Sequence, residues 1–147
     1  MSSTVRPPGT FALPAPRPTV TDDNRPYWTG AREGRLVLPR CSRCRTVIWY
    51  PKHFCAACDS VDVEWFEASG RGTLYSYTVT RRSAGTYGES TPYVYAYVEL
   101  DEGPRVVTNI VDSTARTLVI GAPVTAVFEA CDDEIALVRF RIDTVGR

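Results

Sequence analysis

Four of the five cysteines stand in two Cys-x-x-Cys pairs, Cys41-Ser-Arg-Cys44 and Cys55-Ala-Ala-Cys58, with ten residues between the pairs. Each pair can put two thiolates on one side of a tight turn. Two such turns facing each other make a tetrahedral four-sulfur cage, the geometry zinc accepts most readily. A cage of this kind has no open coordination position, so it holds structure and does no chemistry. The expectation is one structural Zn2+ per chain on Cys41, Cys44, Cys55 and Cys58, with the function to be sought elsewhere.

Other uses of these thiols fit less well. Disulfides need an oxidising compartment, and the start Met-Ser-Ser-Thr-Val-Arg-Pro-Pro lacks the apolar segment of a signal peptide, so a cytoplasmic location is expected. A thioredoxin-like redox site uses one Cys-x-x-Cys at a helix start, not two matched pairs. A rubredoxin-like iron centre has the same four-sulfur geometry, so spacing alone leaves zinc and iron both open. His53, the sole histidine, lies between the pairs. The ligand set is already full without it, so it reads as an ordinary exposed or partly packed residue. Cys131 stands alone and reads as a buried or idle thiol.

Composition bounds the rest. The 147 residues suffice for one domain or two small ones. No apolar run approaches the ~20 residues that span a membrane, so no membrane role is expected. Seventeen basic and seventeen acidic residues cancel, which counts against a dedicated nucleic-acid binder. The charge is uneven, however. Arg32, Arg35, Arg40, Arg43, Arg45 and Lys52 face only Glu33 in that stretch, and Asp59, Asp62, Glu64 and Glu67 follow. The cysteine knuckles are therefore the basic end of the chain.

The elements that must position these residues are mostly strands. Residues 1–20 hold Pro7, Pro8, Pro14, Pro16 and Pro18, whose fixed φ and missing N–H forbid a helix or a central strand. This reads as an extended arm, a linker or a disordered tail, with Phe11 and Leu13 able to lie on a partner. Asp22 or Asp23 can cap a short helix near 22–33, with Tyr27, Trp28 and Ala31 on its apolar side and Gly34 as its stop. Arg35–Arg40 reads as a strand into the first knuckle and Val47–Pro51 as a strand into the second, the order of a zinc ribbon. A module this small cannot bury enough surface to be stable alone; metal binding, on the order of 10 kcal/mol, supplies the difference.

From Gly70 the period becomes two. Strands are expected over 73–80, 93–100, 105–111, 124–130 and 135–142, with a long loop from Arg82 to Pro92. In Tyr93-Val-Tyr-Ala-Tyr-Val-Glu-Leu, Tyr93, Tyr95 and Tyr97 fall on one face and Val94, Ala96 and Val98 on the other. Five strands with few helix signals predict a small Greek-key barrel of the OB type. The fold class expected is mainly β: a short N-terminal helix, a four-cysteine zinc ribbon and a five-stranded OB-fold barrel. The expected division is an arm over 1–20, helix plus ribbon over 21–68 and OB-fold over 69–147.

This order resembles a known family. It runs through Trp28, Gly34-Arg-Leu36, the first Cys pair, Pro51, the second Cys pair and Ser69-Gly-Arg-Gly-Thr-Leu-Tyr-Ser-Tyr-Thr-Val79. It is similar to the DUF35 family, a rubredoxin-like zinc ribbon fused to an OB-fold, over about residues 20–142. Two positions depart from the family's habit: Arg45 stands where glycine is frequent, and Ala56 where proline is. Both flank ligands, so they touch turn shape and not the ligand set.

The resemblance implies a non-catalytic accessory subunit of a thiolase-fold enzyme acting on acyl-CoA. In the bacterial steroid side-chain version, the partner is a lipid-transfer-protein-type aldolase, which carries the catalytic residues. A hotdog-fold enoyl-CoA hydratase precedes it, and a module like this one stands alone or forms the C-terminal part of a hydratase subunit, so the proline-rich arm reads either as the linker from such a hydratase or as a native N-terminus. The residues themselves agree with a non-catalytic role, since no nucleophile–base constellation is visible around the lone His53. Tyr93, Tyr95 and Tyr97 suit an interface, because tyrosine buries large area while keeping a polar tip. Arg40, Arg43, Arg45 and Lys52 could meet a partner or the phosphates of coenzyme A. The alternative is a nucleic-acid-binding module, with the same basic residues and Trp49 forming a phosphate-and-stacking patch.

Overall fold

The computed structural model of the chain describes residues 5–143. The first four residues of the expected arm and the last four of the expected OB region lie outside the described residues. Strand β1 (Val5–Arg6) is followed by a long proline-rich stretch, helix α1 (Arg25–Arg32), β2 (Val37–Cys41) and β3 (Val63–Glu67). Then come β4 (Arg71–Thr80), a 3-10 turn (Gly85–Ser90), β5 (Tyr93–Leu100), β6 (Arg105–Val111), β7 (Pro123–Ala130) and β8 (Ala136–Ile142).

Strands β4 to β8 close a five-stranded OB-like barrel. β4, β5 and β6 form an antiparallel meander, β7 pairs with both β4 and β8, and β8 returns parallel to β6 to shut the ring. The motif at the barrel entry has a steric reason. Gly70 sits at φ +77°, and a Cβ on Gly72 would come within 2.4 Å of the Glu99 carbonyl oxygen, so the crossing of β4 over β5 requires the second glycine. Alternation on β5 is as expected: Val94, Ala96, Val98 and Leu100 are buried, and Tyr95 and Tyr97 are half-exposed.

The ribbon is not a separate body. β2 and β3 pair antiparallel from Val37↔Glu67 to Cys41↔Val63. Tyr27, Trp28 and Ala31 of α1 share one buried cluster with Leu36, Leu38, Leu74, Val98, Val124 and Phe140. Helix, ribbon base and barrel therefore bury a common apolar core, and its burial stabilises all three together.

Two local expectations are corrected. Asp22 and Asp23 do not cap α1. Asn24 holds the cap position and makes no side-chain cap bond; its Oδ1 instead accepts from the Thr21 N–H and its Nδ2 donates to the Thr19 carbonyl. Asp23 is drawn off by His53, 2.6 Å away. Val47–Pro51 is not a strand. One edge of β2 is taken by β3, and the chain touches the other at a single bridge, Arg40↔Val47. It turns away at Pro51, which has no N–H to extend a ladder.

The arm does not trail into solvent. Val5 and Arg6 run parallel to Phe128 and Glu129 of β7. Leu13 is buried against Val111 and Val127. Successive turns, Thr10 N–H to Pro7 and Ala12 N–H to Gly9, hold its shape between those points.

Candidate metal centre

The two knuckles repeat one backbone design. In the first, the Cys41 N–H donates to the Thr46 carbonyl and the Arg45 N–H to the Cys41 carbonyl; in the second, Cys55 N–H donates to Ser60 and Asp59 N–H to Cys55. Arg45 and Asp59, each following the second cysteine of its pair, have left-handed backbone at φ +68° and +64°. That conformation reverses the chain so that both thiols of a pair point inward. It is why glycine suits this place, and Arg45 adopts it at a steric cost.

The four Sγ atoms all lie within 4.8 Å of one another. Cys41 and Cys58 are 3.6 Å apart, as are Cys44 and Cys55. Zn–S bonds of about 2.3 Å at tetrahedral angles require S···S edges of about 3.8 Å, so the cage has the size of a zinc site. Its electrostatics agree. The Thr46 hydroxyl and backbone N–H pull the Cys44 thiol down to about 6. The Ser60 N–H pulls Cys58 the same way, yet burial and the three neighbouring thiols push it up to about 12. Four thiolates in this volume need a cation to neutralise them. Cys41 and Cys55 are wholly buried beside Ile48, so the cage roots in apolar packing.

The basic residues of the ribbon do not form one open patch. Arg40 donates to Glu64 through Nε and Nη2 at 3.2 and 3.1 Å and stacks 4.2 Å over the Phe66 ring. Arg45 reaches the same Glu64 carboxylate at 3.0 Å. Glu64 is held below the usual carboxylate range by these bonds, that from Arg40 first. Arg43 is exposed with no acidic partner among the described residues, and Lys52 lies 5.4 Å over the Phe54 ring. Trp49 packs edge-on against Tyr27 and Tyr50, and so lies against the core.

The tyrosines separate as well. Tyr95 and Tyr97 stand on the outer barrel face with Val107, directly opposite Tyr97 in register. Tyr75, at the β4 bulge, is also exposed and lies 3.9 Å beneath the Arg105 guanidinium. Tyr93 instead turns to Tyr87 and Ser83 and joins the cluster around Leu13. His53 stays exposed with Asp23 as its partner. Cys131 is partly buried, its Sγ 3.6 Å from the Pro16 carbonyl, and burial raises its thiol.

One group of polar residues gave no signal in the sequence. Glu129 and Arg139 are fully buried ion-pair partners 2.6 Å apart. Nothing in the sequence of either strand marks them as partners, and only the β7–β8 register, which pairs Glu129 with Leu137 and Val127 with Arg139, brings them together.

Comparison with known proteins matches residues 28–64 to the ChsH2 rubredoxin-like zinc ribbon domain and residues 65–129 to the ChsH2 C-terminal OB-fold domain. The chain is 40% identical over 126 residues to a probable enoyl-CoA hydratase alpha subunit of Thermomonospora curvata, covering 86% of this chain but only 39% of that protein. It is 33% identical over 100 residues to a DUF35 domain-containing scaffold protein of Methanocaldococcus jannaschii, covering 67% of this chain and 71% of that one. The solved structure of an Ltp2-ChsH2(DUF35) aldolase contains a chain that matches at 39% identity and a TM-score of 0.76, over 86% of this chain and 98% of that one. With the four-sulfur cage in place within the matched ribbon, the chain belongs to the DUF35 family and carries one structural zinc there.

Proposed function

We propose that this chain is a non-catalytic accessory subunit that binds and supports a thiolase-fold enzyme, a lipid-transfer-protein-type aldolase cleaving a steroid side-chain acyl-CoA. The observation that carries the reading is the correspondence of helix, ribbon and barrel together to a chain of an aldolase complex, with 98% of that chain covered. The described residues agree. Their only metal-ligand cluster is the closed four-cysteine cage, and the one histidine pairs with an exposed aspartate and no nucleophile. Such a body suits the positioning of a partner, and the reading assigns the carbon–carbon bond chemistry to that partner.

Likeness to part of a hydratase alpha subunit supports a second element of the reading, a coupling to the enoyl-CoA hydratase that precedes the aldolase. Ribbon cysteines held as metal thiolates and not paired as disulfides suit a reducing cytoplasm. Tyr95, Tyr97 and Val107 offer an uncharged outer face of the kind that partner cores use. Arg43 and Lys52 remain available for an acyl-CoA phosphate or an acidic partner surface; Arg40 and Arg45 are committed to Glu64. That commitment, and Trp49 lying against the core, weigh against the nucleic-acid reading.

Affinity purification of the tagged chain from its native lysate, with mass spectrometry, tests the proposal. Recovery of a thiolase-fold protein in near-equal amount is expected. Recovery of nucleic acid with its handling proteins in its place would overturn it.

A further inference from the structure

We infer that the outer face of the barrel at β6, β7 and β8 is a docking site for a turn-shaped proline-rich segment, filled in cis by this chain's own residues 5–17 and open to the same segment of a second copy. The site is independent of the accessory-subunit role.

The receptor half of the site is built from the barrel alone. Arg139 Nε donates to Glu129 Oε1 at 2.6 Å, and its Nη1 donates to Asn109 Oδ1 at 2.7 Å. Asn109 is itself fixed, its Nδ2 donating to the Val94 carbonyl at 2.9 Å. Carboxylate, guanidinium and amide thus hold one another in place without help from the arm. The carboxylate and the guanidinium each aim one remaining group outward. Glu129 Oε2 accepts the Gly9 N–H at 2.7 Å, and Arg139 Nη2 donates to the Pro14 carbonyl at 2.7 Å. The site therefore reads the arm's backbone at Gly9 and at Pro14, one donor and one acceptor. Between them, Leu13 fills a pocket of Val111 and Val127, with Phe11, Tyr87 and Tyr93 at its rim.

The ligand half is of the chemistry that such a clamp selects. Its prolines fix φ and carry no N–H, and its turns at Pro7–Thr10 and Gly9–Ala12 satisfy further N–H groups internally, so the segment is pre-shaped and loses less entropy on docking. Only Val5 and Arg6 run along a strand; from Pro7 to Arg17 the arm is held by separate side-chain clamps, which can open without breaking a sheet ladder. A preformed receptor and a weakly laddered ligand together make a site whose occupant can exchange.

The test uses the full chain with a specific protease site placed between Arg17 and Thr21. Isotopically heavy and light protein are cleaved separately, mixed, and followed by native mass spectrometry. The cleaved arm is expected to stay bound and to form mixed heavy–light complexes over time. A labelled synthetic peptide of residues 5–17 is expected to enter the same site. Replacing its Pro8–Gly9 amide by an ester, which deletes the N–H facing buried Glu129, should weaken it at least ~10-fold. Leu13→Ala in the peptide should weaken it similarly. Loss of the arm with the barrel still folded, exchange only on unfolding, or equal binding of the ester peptide would each overturn the inference.

Discussion

At the scale of single residues, the ribbon depends on two left-handed positions, Arg45 and Asp59. A side chain there costs about 1–2 kcal/mol relative to an unstrained backbone, a cost that glycine avoids. Arg45 also makes an exposed ion pair with Glu64, which solvent screens and which contributes little. Arg40 keeps Glu64 satisfied if Arg45 is lost. The backbone effect therefore wins. Arg45→Gly is expected to stabilise the zinc-loaded protein by roughly 0.5–1 kcal/mol, read as a higher urea midpoint; a lower midpoint would mean that the ion pair outweighs the strain. The ligand cysteines were legible because their spacing is their function. Glu129 and Arg139 were not, because a diagonal ion pair across two paired strands is set by their register, which the residue types do not show. Arg139→Met should leave the buried Glu129 carboxylate without its cation, with only the Gly9 N–H to hold it, and cost about 3–5 kcal/mol. Paired with Glu129→Leu it should cost much less, and a double-mutant cycle in chemical denaturation measures the difference.

At the scale of elements, alternation carried most of the information. Each barrel strand lies within a few residues of its expected place, because one face of every strand is buried and period two follows from that. Val47–Pro51 failed as a strand because apolar residues alone cannot tell a ladder from a single bridge beside an already paired edge. The arm was legible as proline-rich but was expected to be extended; its turns at Pro7–Thr10 and Gly9–Ala12 and its docking were not legible, since its anchors come from strands far along the chain. Its far end is tied by Arg17, which donates to Asp132 and pairs with Glu134. Asp132 is held below its usual 3.8, first by the Glu134 and Ile135 backbone N–H groups and then by Arg17. A lowered carboxyl stabilises the fold above its usual pKa and loses that contribution as pH falls through the lowered value. Acidification is therefore expected to loosen the arm at Arg17 only below about pH 3.8. Carboxyl NMR should place the Asp132 midpoint under that value, and a midpoint above it would refute the bonding described.

At the scale of the whole molecule, one core joins helix, ribbon and barrel, so zinc and barrel are expected to be linked. Cys41→Ser should lower bound zinc from one per chain to near none. It should lower the thermal midpoint of the barrel as well as of the ribbon, because Leu36 and Leu38 of the ribbon base pack with Leu74 and Phe140. A metal-free variant whose barrel melts unchanged would show that the core is divisible. On the accessory-subunit proposal, this body supports a catalyst without being one. The most direct measurement is the retro-aldol rate on an acyl-CoA substrate for the lipid-transfer-protein-type aldolase alone, this chain alone, and the two together. Full activity only in the mixture, and its loss when Cys41→Ser replaces the native chain, is the predicted result. Undiminished activity of the aldolase alone, or any turnover by this chain alone, would contradict the account.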